Sequence, residues 1–139
     1  MTRYTGKNWY GSFKGISMVA APFRSFDDGL EEEMADASGG VDTIRTYVHT
    51  MDAVEPTFEW VVDSGSAGTA LDNVLEPGQE GTLLWGLCGT AAGNPKWGIL
   101  ARVTKATPDV QYDDVMVKSV NFMPVDGAYV FDGRTAVWP

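Results

Sequence analysis

Between residues 81 and 127 the chain alternates strand-like runs with turns: GTLLWGLCG, TAAGNP, KWGILARVTKA, TPDVQYDD and VMVKSVNFMPVDG. Leu83, Trp85 and Leu87 share one face of the first strand, and Ile99, Ala101 and Val103 share a face of the next. Arg102 and Lys105 read as solvated or set beside an acidic neighbour. Residues 115–123 alternate again, with Met116, Val120 and Phe122 on one side. Lys118 interrupts that side, so one end of the strand is expected to face water. A period of two marks a half-buried strand. Asn94-Pro95, Val125-Asp126-Gly127 and Asp132-Gly133 are turn signals, and the last two flank a short final strand at 128–131.

The first half is less regular. Residues 1–14 carry scattered aromatics (Tyr4, Trp9, Tyr10, Phe13) and read as an arm leading into a strand at 15–23 that Pro22 ends. Residues 42–51 place Ile44, Thr46 and Val48 opposite Arg45, Tyr47 and His49. Residues 56–63 put Phe58, Trp60 and Val62 on an apolar face. The connection DAVE is short enough to make these two runs a hairpin. Ala70, Leu71, Val74 and Leu75 follow helical spacing after Ser66, a plausible N-cap, and Glu76-Pro77-Gly78 stops the helix. Its stripe reads as core, laid on a sheet.

Residues 24–40 (RSFDDGLEEEMADASGG) break the pattern. Six acids (Asp27, Asp28, Glu31, Glu32, Glu33 and Asp36) surround Leu30 and Met34. LEEEMADA would fit two helical turns with Leu30 and Met34 on one face. The segment is either a solvated loop or a long insertion that orders against a neighbouring subunit, since loops of this length in compact domains are commonly functional or disordered. The sum is a mainly β fold: one domain spanning 1–139, an antiparallel sandwich or barrel of seven or eight strands, one short flanking α-helix and a long acidic loop.

Composition narrows the function. The chain of 139 residues has 44% hydrophobic side chains with five Trp, five Tyr and six Phe, which is a globular composition. A net charge of −9 argues against a surface that grips phosphates. Cys88 is the sole cysteine, so no internal disulfide forms, and its apolar run suggests a buried thiol. No run has signal-peptide or membrane-helix character, so a soluble chain made in the cytoplasm is expected. His49 is the lone histidine, without a nucleophile elbow elsewhere. The acid cluster lacks the spacing of a calcium loop, and GTAAGNPKWG lacks the ending of a phosphate-binding loop. Asp27-Asp28 and Asp113-Asp114 read as hydrated charges. No catalytic residue, cofactor site or metal site is expected, and an enzyme is the least supported class.

The order of helix ALDNVL, strand GTLLWGLCG, turn GNPKWG, strand ILARVTKATPDVQYDD and strand VMVKSVNFMPVDG resembles the tail tube proteins of long-tailed bacteriophages. Trp85, Gly89, Pro95, Gly98, Pro108, Tyr112, Asp113, Asp114, Phe122 and Gly127 carry the resemblance, which covers residues 40–127. It implies a virion structural protein that forms rings, hexameric in the family, stacked into a hollow conduit for genome DNA. The subunit strands join into one inner barrel. The chain is short for the family, with no room for an appended immunoglobulin-like domain. The implied partners are further copies of itself and other tail proteins (tape measure, terminator, baseplate or distal tail proteins). DNA passes without specific binding, and no membrane is involved. The long loop, which reaches the next ring in such proteins, falls here on residues 24–40. Asp27, Asp28, Leu30, Glu31, Glu32, Glu33, Met34 and Asp36 are therefore the candidate inter-ring contacts. A tail terminator, a head decoration protein or another ring protein remains an alternative, as does a ligand-binding β-sandwich suggested by the aromatics.

Overall fold

A computed structural model describes residues 8–19, 23–41, 43–62, 65–110 and 116–139. Tyr4, Pro22, Asp42, Asp63, Tyr112, Asp113 and Asp114 lie outside the described residues. The elements run β1 (Tyr10–Phe13), β2 (Ile16–Ser17), β3 (Phe23–Asp27), β4 (Glu31–Asp36), β5 (Tyr47–Ala53), β6 (Thr57–Val61), α1 (Ser66–Val74), β7 (Glu80–Gly86), β8 (Trp97–Asp109) and β9 (Val117–Phe131). Seven strands form one antiparallel sheet in the order β2-β1-β7-β8-β9-β6-β3, and β4 and β5 form a separate pair.

Register explains the core. Directly paired residues point to the same face of a sheet, and the pairs Phe13↔Leu83, Leu83↔Ile99, Trp85↔Trp97, Val103↔Phe122 and Phe58↔Val120 line up the apolar positions of five strands. All of these side chains are buried in one cluster. The sheet must curl to bury them. Phe13 and Phe122 stand on strands three steps apart, roughly 14 Å in a flat sheet, yet their ring centroids are 5.2 Å apart. Trp9, just before β1, meets Phe23 and Phe26 of β3 at 5.0 and 4.7 Å. The two ends of the sheet therefore face each other across tilted ring contacts. No strand pairing joins β3 to β1 or β2 among the described residues, so the sheet is rolled but is not a closed barrel. The indole N–H groups of Trp9, Trp60 and Trp85 find no acceptor among the described residues, which is a cost of packing these rings so deeply.

The helix closes one side. Leu71 and Leu75 are fully buried, Val74 packs on the core and Ala70 is half-buried. The N-cap is Gly65 in extended geometry without a side-chain cap, and Ser66 is the first helical residue. Lys118 does not face water. It sits on the core side of β9, and its ammonium donates to Asp72 Oδ1 at 2.7 Å and Glu76 Oε1 at 3.1 Å. The two carboxylates are four residues apart and stand on the same side of the helix end. Burial alone lowers the Lys118 pKa, but these two partners outweigh it and the pKa is raised. An ion pair thus replaces the hydration that Lys118 loses.

Several sequence expectations change. The acidic segment 24–40 is neither helix nor loose loop: β3 opens it, and residues 31–36 form β4. β5 does not pair with β6 across DAVE. It pairs with β4, while β6 lies between β9 and β3. β1 falls inside the expected arm. The run 115–123 and the final strand are one element, β9, and Val125-Asp126-Gly127 is a bulge rather than a reversal. β8 steps from Ile99 to Ala101 while β9 steps from Tyr129 back to Pro124. Leu87 is exposed and Cys88 half-exposed, because both lie in the turn after β7.

Trp9→Ala removes the ring that joins the sheet ends and should lower unfolding stability by about 3–5 kcal/mol. Ala at exposed Val62 should change it by less than about 0.5 kcal/mol. Urea unfolding of the two variants checks the contrast.

Candidate assembly surfaces

The β4–β5 hairpin projects from the body. All six β4 residues and the first five of β5 are exposed. Glu32 pairs with Asp52, Glu33 with Met51, Met34 with His49 and Asp36 with Tyr47, with Thr50 bulged between. One face carries Glu32, Met34, Asp36, His49 and Tyr47; the other carries Glu31, Glu33, Ala35, Val48 and Met51. A lone two-stranded ribbon buries too little to be stable by itself. This one leaves Met34, Tyr47, Val48 and Met51 in solvent, so it has the character of a contact element awaiting a partner.

The eight candidate contact residues are split by this geometry. Glu31, Glu32, Glu33, Met34 and Asp36 stand on β4. Asp27 ends β3, and Asp28 and Leu30 lie in the connection. The Asp27 and Asp28 carboxylates accept from the Gly29 and Leu30 amides at 2.9 and 3.2 Å, tightening the turn into the ribbon. Gly29 has φ +61, and a Cβ there would meet the Glu55 carbonyl oxygen at 2.5 Å. Only glycine lets the entering and leaving strands cross so closely.

A polar clamp fixes the ribbon's base. Asp52 Oδ2 accepts from the Tyr129 hydroxyl at 2.9 Å and from Arg134 Nη2 at 2.7 Å. Arg134 also donates to both oxygens of Asp132. Across the ribbon His49 Nδ1 lies 2.9 Å from Glu32 Oε1, and its Nε2 lies 3.7 Å from Asp52 Oδ1. The Tyr129 hydrogen bond, supported by Arg134, holds the Asp52 carboxyl below its ordinary range against the opposing effect of burial. Burial, then Asp52, pushes the Tyr129 phenol well up. The clamp was invisible in the sequence, because its partners lie 77 and 82 residues apart.

The sheet offers a second surface. β7 accompanies β8 only from Trp97 to Arg102, and β6 accompanies β9 only from Val117 to Asn121. The last part of β8 (104–109) and the last part of β9 (123–131) thus each have one side without a strand partner among the described residues. These half-edges lie on opposite sides of the β8–β9 ribbon. Met123, Val125 and Val130 are exposed along the β9 half-edge. Between the base of β5 and the β9 bulge lies an open groove of about 350 Å³, lined by Met51, Val54, Ile99, Pro124, Asp126 and Tyr129 among others.

No protein-family model matches the sequence, and neither does any curated protein. Solved structures do match in fold. A chain from the tail of an empty gene transfer agent particle with C6 symmetry superposes with a TM-score of 0.72 at 10% identity, covering 94% of this chain and 99% of that one. The SPP1 tail tube matches with a TM-score of 0.67 at 9% identity, over 94% of this chain and 80% of that one. A sheath/tube terminator of the extracellular contractile injection system PVC matches with a TM-score of 0.63 at 15% identity, over 91% and 95%. The fold is that of tail and injection tube proteins.

The clamp has a pH signature. The folded Asp52 pKa lies below that of a free carboxylate, about 3.9. Its stabilisation is therefore complete above that value and is lost as pH falls through the lowered folded value. Relative to their intrinsic exchange rates, amides of β5 should lose protection against deuterium exchange on such acidification, and at neutral pH in Asp52→Ala, while those of β7 and β8 stay protected.

Proposed function

We propose that this chain is the structural subunit of a tail tube, polymerising as rings, six subunits each, that stack into a hollow conduit for DNA. The observation that carries the reading is the pair of staggered half-edges on a rolled sheet with a tail-tube fold. Unpaired edges are an aggregation liability in a monomer. Because 104–109 and 123–131 lie on opposite sides of one ribbon, pairing β8 of one copy with β9 of the next is head to tail. Such a contact repeats by rotation and closes as a ring. The C6 symmetry of the gene transfer agent tail supports six.

The role is structural, and no catalytic step is assigned. A net charge of −9 suits a conduit, since an acidic wall repels phosphates and lets DNA slide. The partners in this reading are copies of the chain, the tape measure protein, and the terminator and baseplate or distal tail proteins at the tube ends. The likeness to a sheath/tube terminator favours one second reading, a ring that caps a tube without extending it.

Met123→Lys combined with Val125→Lys places charges on the exposed β9 half-edge. The expected outcome is a folded monomer by circular dichroism and loss of rings and tubes in sedimentation velocity. Assembly equal to that of the unaltered chain would show that this edge is not the ring seam.

A further inference from the structure

An aspartyl carboxyl cyclises onto its own backbone most readily when glycine follows, because glycine puts no side chain in the way of the attacking amide. The chain holds three such pairs, Asp28-Gly29, Asp126-Gly127 and Asp132-Gly133. The structure separates them. The Asp28 carboxylate is turned past its neighbour and accepts from the Leu30 amide at 3.2 Å, and the Gly29 backbone lies against that of Glu55. The Asp132 carboxylate is held by the Arg134 amide at 3.0 Å and by the Arg134 guanidinium, and Gly133 lies against the Trp97 indole. Asp126 differs on each count. Its Oδ1 accepts from the Gly127 amide at 2.7 Å, which brings that nitrogen up to the carboxyl group it would attack. Asp126 and Gly127 are exposed, whereas the other two pairs are half-buried. A Cβ at Gly127 would meet nothing within 4 Å. The backbone there is also released from the ladder, since residues 125–128 bulge out between the pairs Ala101↔Pro124 and Ile99↔Tyr129.

We propose that Asp126 is a site of spontaneous backbone isomerisation through a succinimide. With the carboxyl protonated, the Gly127 nitrogen attacks Cγ of Asp126. The N–Cγ bond forms, and one carboxyl oxygen leaves as water with its own proton and the amide proton. Water then reopens the ring. Attack at Cγ restores aspartate. Attack at the main-chain carbonyl breaks its bond to nitrogen and leaves isoaspartate, with the chain running through Cγ and the α-carboxylate free. The net mass is unchanged, but the backbone gains a methylene inside the bulge. The bulge lies on the 123–131 half-edge, so the altered backbone disturbs the ring seam. That consequence rests on the tube-subunit reading; the site itself does not.

Incubation of the chain in mildly acidic buffer, followed by tryptic digestion, tests the site. One peptide, residues 119–134, carries both Asp126 and Asp132. In the folded chain isoaspartate at Asp126 should exceed that at Asp132 and Asp28 by roughly tenfold, given how steeply ring closure depends on approach. Backbone fragment ions from electron-transfer dissociation read the ratio. In urea the three sites should converge. Asp126→Glu, which would have to close a less favourable six-membered ring, should remove the signal at that position. Equal conversion at Asp126 and Asp132 in the folded chain, or a lead at Asp126 that persists in urea, would overturn the proposal. Among aged chains, tubes should hold less isoaspartate at position 126 than the unassembled fraction. Equal content would cut the link to the seam, and a chain that forms no tubes would count against the tube reading, in both cases with the site standing.

Discussion

Trp9 is the point at which the two ends of the sheet meet. Its ring lies against Phe23 and Phe26 on the far side of a sheet that has curled through seven strands. The contact is made by side chains, not by backbone hydrogen bonds. That distinction shapes the rest of the molecule. A sheet closed by hydrogen bonds has no edges to offer, whereas one closed by rings buries its core and still leaves backbone unpaired. The fold thus follows from one constraint, a core gathered on a single sheet face that the chain rolls up to cover, while the unpaired half-edges arise because β8 and β9 outrun their neighbours β7 and β6.

The same constraint decides what the sequence revealed. Where one face is buried, the period of two is clear, as in Thr57–Val61, Glu80–Gly86 and the first half of Trp97–Asp109. The helix was legible for a related reason: Leu71 and Leu75 need the core, and Pro77-Gly78 needs a stop. The ribbon β4–β5 has no buried face, so nothing imposed alternation on LEEEMADA, and its Glu, Met and Ala residues, good helix formers, misled. Local pairing also misled. DAVE looked like a hairpin loop, but Phe58 and Trp60 are drawn to the core between β9 and β3, leaving β5 to pair outward. Lys118 kept the strand's period but hid its ion pair, because Asp72 and Glu76 reach it only after the helix docks.

Two surfaces remain after the core is accounted for, and they differ in kind. The half-edges of β8 and β9 are backbone surfaces, suited to a rigid seam. The ribbon is a side-chain surface, held at its base by Asp52, Tyr129 and Arg134. A tube needs both kinds of contact, one around the ring and one along the axis. The candidate contacts on β4 came from the family resemblance, which placed the long loop at residues 24–40; the clamp and the groove emerge only when residues far apart in sequence are brought together.

Electron cryo-microscopy of the purified chain at high concentration tests this most directly. The expected result is hollow tubes of stacked six-subunit rings, with β8 of each subunit running beside β9 of its neighbour around the lumen. A chain that stays strictly monomeric at that concentration, or rings in which β8 and β9 lie away from every subunit boundary, would contradict it.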